Sequence, residues 1–477
     1  MFGAALLGGC SGAVPEPAAT KPSWAELGRS YLVERRDAAR AARFLERALE
    51  QRPRDPALRR DLAAALRDLG DPASLERARA LLIALAEPRP REPTLRFALA
   101  EIELLRGERA AAERWIERGA ELLRARRDRR HRGVALQHAR SFDGQAGYGS
   151  AWGERALLRL AQTGADSVAL TPYTLVDSDT TPLIDADSMD PEGETDPRLI
   201  AAMRSARRMG LRVMLKPHLE LRAPDDQHWR GSIRMRSEAD WRRWFRNLTA
   251  YLLRYARIAA AEQAELYCLG IELKITALER EADWRGVIAA VREVYSGELT
   301  YGANWWEEYE AIRFWDALDS IGVQAFFPMG ERRDAEPPSL AELEQRMARH
   351  AAAIAAVARR YKKPVLLTEI GLKSSADAAA DAWKWTSEAP VDLRLQADFY
   401  RAMFRTYWGQ PWLDGLYIWR WETDPGFGGP HNRDFTPQNK PAEWVMRRFF
   451  AGPRAIAALE PPWPAERVPL GPESNVP

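Results

Sequence analysis

The run Pro364-Val365-Leu366-Leu367-Thr368-Glu369-Ile370-Gly371-Leu372 decides the fold of this chain. It is apolar, β-rich and too short for a helix, and it carries a carboxylate where the run closes, so it reads as a strand with a polar exit. Seven further segments share this character: Gly133 to Leu136, Asp166 to Tyr173, Arg212 to Leu219, Glu265 to Leu273, Glu298 to Trp305, Ser320 to Pro328 and Leu413 to Glu422. Between most pairs stands one amphipathic helical stretch, such as Arg198 to Met209, Glu238 to Ala261, Trp284 to Tyr295 and Leu340 to Tyr361. Strands alternating with helices over roughly 320 residues predict an α/β architecture, a (β/α)8 TIM barrel.

Upstream, Trp24 to Arg127 is rich in Ala, Leu, Arg and Glu with apolar residues at helical spacing, which predicts amphipathic helices. A period of about 35 residues runs through it. Trp24, Leu27, Gly28 and Tyr31, then Ala41, Leu45, Ala48 and Pro53, resemble the two helices of a tetratricopeptide repeat. Leu62, Ala63, Leu66, Ala78, Leu82, Leu85 and Pro90 make a second unit, and Leu99, Ala100, Ala112, Ile116 and Gly119 a more divergent third. The expected all-α repeat domain offers a groove to a protein partner or, alternatively, a cap packed on the barrel.

The first nine residues are short, apolar and small-residued and end at Cys10, followed by a Pro-, Ala- and Gly-rich stretch to Ser23. This resembles a bacterial lipoprotein signal with its tether, although no Lys or Arg precedes the apolar run. The resemblance implies lipidation at Cys10, membrane attachment by that anchor only, and a place at the cell envelope or periplasm; the alternative is an ordinary N-terminus on a cytoplasmic protein. The expected organisation is signal and tether at 1–23, helical repeats at 24–127, barrel at 128–452 and a Pro-rich tail at 453–477.

Composition removes several function classes. The 477 residues carry 70 Lys+Arg against 68 Asp+Glu, which argues against a nucleic-acid clamp, and the basic run Arg124 to Arg132 reads as a solvated helix end. No run of about 20 apolar residues spans a bilayer. Two cysteines, Cys10 and Cys268, make no disulfide framework, and six histidines show no metal-binding spacing. No metal or cofactor is expected. Of 18 Trp, most fall in the barrel region, and indole faces suit the apolar faces of sugars.

A barrel of this type builds its site where the strands end. The exits read Lys216-Pro217-His218, Gly270-Ile271-Glu272-Leu273-Lys274, Asn304-Trp305, Gln324-Ala325-Phe326-Phe327, Thr368-Glu369 and Trp419-Arg420-Trp421-Glu422. A carboxylate at a buried exit is costly unless paired or used, which singles out Glu272 and Glu369. Two such groups across a mouth suit glycoside hydrolysis, one protonated as acid and one ionised. Each residue also has a structural reading: Glu272 as a salt bridge to Lys274 or an Arg, His218 as a rim histidine, Cys268 as a core thiol, Lys440 as a loop residue. Of Trp305, Trp306, Trp419 and Trp421, about half are expected to face the cleft, because a strand alternates its faces.

With Gly164 to Leu170, Ile321-Gly322-Val323 and Lys440-Pro441-Ala442, these exits resemble, in their order, a retaining clan A glycoside hydrolase, closest to family 113, the β-mannanases. The resemblance covers about two thirds of the chain. It implies an oligo- or polysaccharide substrate with β-1,4-linked mannosyl units, Glu272 as general acid/base, Glu369 as nucleophile, and a subsite of Lys216, His218, Asn304, Trp305, Phe326, Trp419 and Trp421. Two departures stand out. Ile271 precedes the acid where many relatives have Asn, and Phe326 stands where many have a Tyr that hydrogen-bonds the nucleophile. The second favours an alternative, a catalytically weak glycan-binding barrel whose repeats serve as a protein scaffold at the cell envelope.

Overall fold

The computed structural model describes residues 22–139, 145–184, 195–225, 227–331 and 336–451. Cys10 and the tail 453–477 lie outside the described residues, as does most of the leader. Six helices come first: α1 (Trp24–Val33), α2 (Ala38–Gln51), α3 (Pro56–Leu69), α4 (Pro72–Ala86), α5 (Pro93–Leu105) and α6 (Arg109–Arg126). Asp55 and Asp71 cap α3 and α4 by accepting backbone N–H groups, and Pro56 and Pro72 follow at the first helical position. Most residues of the repeat pattern are buried, among them Tyr31, Leu45, Ala63, Leu66, Ala78, Leu82 and Leu85, while the closing Pro53 and Pro90 are exposed. Close approach explains two glycines. A Cβ on Gly28 would stand 2.6 Å from Leu45 Cγ, and one on Gly119 would stand 2.8 Å from Phe97 Cε1.

The ten strands among the described residues are β1 (His131–Gln137), β2 (Ser167–Leu170), β3 (Tyr173–Val176), β4 (Arg212–Leu215), β5 (His218–Leu221), β6 (Leu266–Ile271), β7 (Glu298–Asn304), β8 (Ile321–Gln324), β9 (Val365–Ile370) and β10 (Leu413–Glu422). Eight close into a parallel barrel in the order β1-β2-β4-β6-β7-β8-β9-β10, with β10 returning to pair with β1. Around it run α7 (Ala151–Gln162), α8 (Asp196–Arg208), α9 (Glu238–Ala261), α10 (Lys274–Glu279), α11 (Glu281–Arg292), α12 (Leu340–Tyr361), α13 (Leu393–Tyr407) and α14 (Pro441–Ala451). The fold is the expected TIM barrel after an all-helical region. No helix among the described residues is long and apolar enough to cross a membrane.

Two expected strands are each divided in two. Asp166 to Tyr173 breaks at Pro172, and Arg212 to Leu219 at Pro217, because proline has no N–H to give a sheet ladder. Beyond the breaks the His218 N–H donates to Pro172 O at 2.8 Å, and β3 and β5 pair as a separate two-stranded sheet from Tyr173↔His218 to Val176↔Leu221.

The barrel interior is filled by Ala135, Ala169, Met214, Leu266, Cys268, Ile271, Phe326, Leu366, Tyr417, Trp419 and Phe435. Cys268 is the core thiol expected, and burial pushes it up to about 11. A second layer lies between strands and helices, and Phe97, Ala100, Ile116 and Leu123 of the third helical hairpin belong to it. That hairpin therefore caps the barrel, while α2, α3 and α4 leave an open groove lined by Leu49, Leu62, Leu81 and Ala84. The junction also holds ions. Glu101 of α5 is fully buried and accepts Arg159 Nε and Gln162 Nε2, each at 2.9 Å. Although burial opposes it, Arg159 and Arg67 hold this carboxyl well below the usual range. Arg159 also donates to Asp68 of α3 at 3.2 Å and to Pro425 O, in the loop after β10, at 2.8 Å.

Candidate active site

Glu272 follows the last residue of β6 in the left-handed region, at φ 51°. A residue with a Cβ is disfavoured there and must be held by its surroundings. Its N–H donates to Gly302 O at 2.8 Å. Its Oε1 accepts Asn304 Nδ2 at 2.9 Å, and Arg230 Nη1 stands 3.8 Å from Oε2. Burial pushes the carboxyl up to about 7; Arg230 opposes this and the Glu369 charge adds to it. The salt bridge to Lys274 is not made, since Lys274 pairs with Glu307 at 2.8 Å.

Glu369 lies on β9 and is 4% exposed, so its charge needs a counter-ion, which is Lys216. The Lys216 ammonium donates to Glu369 Oε1 and, at 3.2 Å, to Thr368 O, and it lies 5.2 Å from the centre of the Trp419 ring. Lys216 was expected to bind substrate; fully buried and already committed to the protein, it is instead the counter-ion of Glu369. His218 Nε2 stands 3.5 Å from the same carboxylate oxygen, and its ring stacks on Trp419 with centroids 5.7 Å apart. Burial, with Lys216 and Arg230 near, drives the imidazole well below 6.5, so it is neutral.

Several polar atoms around these carboxyls make no hydrogen bond within the protein. Both ring nitrogens of His218, Arg230 Nε, Gln324 Nε2 and Trp419 Nε1 are buried without a hydrogen bond among the described residues. Buried polar groups are nearly always satisfied, so these atoms are available to the hydroxyl groups of a ligand.

The other expected residues divide. Asn304 meets Glu272, and Trp305 is half-buried against Phe327 and Trp383. Phe326 lies in the interior with its ring 5.7 Å from Phe435. Trp421 does not face the mouth. Between Ile418 and Trp421 the register of β10 on β1 slips by one residue, which inverts the alternation of faces and sends Trp421 into the outer layer with Leu416 and Ile418. Lys440 is buried and holds two loops by donating to Ser374 Oγ and Asp434 O, each at 2.8 Å.

Some residues here carry no signal in the strand exits. Arg230 comes from a single 3-10 turn, Arg230–Ser232, and is held by Glu220. Trp383 and Trp385, 42% and 50% exposed, come from the loop after β9. Trp385 meets Trp419 at 5.8 Å and Phe435 at 5.7 Å, while Trp383 lies 5.5 Å from Trp305. The spacing Trp383-Lys384-Trp385 just beyond Glu369 was the available clue. Among the described residues no group of three or more His, Cys, Asp or Glu could hold a metal ion.

A parallel barrel with two buried carboxyls at its strand ends, one of them paired with a buried lysine, defines a glycoside hydrolase. Residues 141–440 match Glycoside Hydrolase Family 113, and the chain belongs to that family. Among solved structures it is similar to the GH113 β-mannanase AaManA from Alicyclobacillus acidocaldarius in complex with ManMIm, at 27% identity and TM-score 0.58, over 69% of this chain and 98% of that one. It is similar also to a GH113 β-1,4-mannanase in a complex, at 26% identity and TM-score 0.58, over 67% and 98%. No curated protein sequence matches the chain.

Proposed function

We propose that the enzyme hydrolyses β-1,4-linked mannosyl chains with retention of configuration, with Glu369 as nucleophile and Glu272 as acid/base. One observation carries this reading: two buried carboxyls share one mouth, one in an ion pair with Lys216 and the other pushed up to about 7. In the first step the Glu369 carboxylate attacks the anomeric carbon while the Glu272 proton passes to the departing glycosidic oxygen, leaving an ester between sugar and Glu369. In the second, Glu272, now ionised, takes a proton from water as that water attacks the anomeric carbon, and Glu369 is released as carboxylate. Arg230, 3.8 Å from Glu272, stabilises the ionised form that exists between the steps.

The mannosyl preference rests on the family and on the β-mannanases this chain resembles. A place at the cell envelope rests on the Met1 to Cys10 segment alone.

The test is hydrolysis of β-linked manno-oligosaccharides by wild type, Glu272→Gln and Glu369→Gln, with the anomer first released read by NMR. The β-anomer as first product, and loss of turnover in both variants, is the expected result. Sugar binding without turnover by wild type would instead support the weak glycan-binding barrel that the missing hydroxyl at Phe326 favours.

A further inference from the structure

Glu308 is a fully buried carboxyl that the double displacement does not use. Its Oε1 accepts the Tyr301 hydroxyl and its Oε2 accepts the Asn304 N–H, both at 2.6 Å. The Tyr301 oxygen in turn accepts the Leu273 N–H at 2.6 Å. Both ends of this linkage reach Glu272. Leu273 is the residue that follows its left-handed turn, and Asn304 is the side chain that donates to its Oε1. The Asn304 amide is itself oriented, because its Oδ1 accepts the Trp306 N–H at 2.8 Å and its nitrogen is thereby turned to the acid. The Tyr301 ring is packed by Trp284 and Phe314, with centroids 5.2 and 5.9 Å away.

A residue at φ 51° keeps that conformation only while its neighbours impose it. A general acid displaced by a fraction of an ångström loses much of its effect. We propose that Glu308 is a positioning residue for Glu272: through Tyr301 and Asn304 it fixes both the backbone after the acid and the donor on the acid's carboxyl. This rests on the glycosidase reading above. Glu308 touches no reacting atom and acts only through the acid.

The proposal separates two kinds of substrate. A manno-oligosaccharide has a poor leaving group that must be protonated as it departs, whereas the dinitrophenyl glycoside of the same sugar departs without an acid. The experiment measures kcat/KM on both for wild type, Glu308→Ala, Glu308→Gln and Tyr301→Phe. General acids contribute about 100-fold or more, so Glu308→Ala and Tyr301→Phe are expected to lose at least about 10-fold on the oligosaccharide and under about 3-fold on the dinitrophenyl substrate. Glu308→Gln keeps the shape but offers one acceptor oxygen to two donors, so on the oligosaccharide it should fall between Glu308→Ala and wild type. Equal losses on the two substrates, no loss on either, or a Gln variant no better than Ala would each overturn the proposal. Should Glu308→Ala not fold, Tyr301→Phe, which keeps the packed ring, decides. A wild type idle on both substrates overturns the glycosidase reading and this proposal with it; an active wild type with equal losses overturns this proposal alone.

Discussion

Glu272 is held in tension between stability and use. Folding raises its pKa from 4.5 to about 7, so its proton favours the folded state below the unfolded value, and that advantage is lost as pH rises through about 7. At about 1.4 kcal/mol per pKa unit, the ionised form costs about 3 kcal/mol. Glu272→Gln should therefore be more stable than wild type at pH 8, by up to about 3 kcal/mol, and no more stable at pH 4. Urea melts at the two pH values test this, and an equal difference at both would count against a buried acid. The same titration sets activity: kcat/KM should fall as pH rises through about 7, as Glu272 loses the proton it must donate. Lys216 gives a second expectation. Removing one member of a buried ion pair costs about 3–5 kcal/mol, so Lys216→Met should destabilise by about that amount and abolish turnover. The double variant Lys216→Met/Glu369→Gln should recover most of the stability and none of the turnover, as denaturation and rate assays would show. Both glutamates were legible in the sequence because a carboxylate closing an apolar run has few reasons to be there. Arg230 and Glu308 were not, because their partners are set by how loops return to the mouth, and no spacing rule encodes that.

At the scale of elements, the loop from β9 to α13 matters most to a bound chain. Trp385 and Trp383 expose half or nearly half of their surface on the mouth, beside Trp419 and Trp305. An exposed indole next to a site is a platform for a sugar face, and an aromatic contact contributes about 0.5–1.5 kcal/mol. Trp383→Ala and Trp385→Ala are expected to raise KM for long oligosaccharides about 3- to 10-fold and to leave kcat within about twofold. Steady-state kinetics over a ladder of chain lengths reads this out, and a KM unchanged at every length would show that these rings serve packing only. The alternation of strand and helix was legible here, since each barrel strand is a short apolar run between longer amphipathic ones. Two elements differ from expectation, each for one physical reason. Pro172 and Pro217 divide two of the expected strands, because a ladder cannot continue across a residue without an N–H. The resemblance implies Trp421 at the mouth, and a one-residue slip in β10 turns it to the outer layer instead.

At the scale of the molecule, the third helical hairpin ties the helical region to the barrel through a shared core. Phe97, Ala100, Ile116 and Leu123 pack in the layer between strands and helices, and Glu101, Arg159, Arg67 and Asp68 close the junction. The two parts should consequently unfold together, in a single calorimetric transition. Deleting residues 24–127 should leave an insoluble barrel rather than a smaller active one, because it exposes that layer and leaves Arg159 without Glu101 and Asp68. Two well-separated transitions, or a soluble and active truncation, would show that the helices are a detachable module. The repeat pattern revealed the helices and their buried residues, yet it could not distinguish a free groove from a cap. Which face of α5 and α6 finds a partner depends on α7 and α8, which lie beyond the repeats in the chain.

The seam of the barrel has its own consequence, one that concerns synthesis. β1 pairs on one side with β2, close by, and on the other with β10, roughly 285 residues further along. At about 5–20 residues per second, the second neighbour is made some 15 to 60 seconds after the first strand leaves the ribosome. For that time one edge of a growing parallel sheet is open, and an open edge is a template for other chains. The growing chain must be sheltered until its last strand arrives.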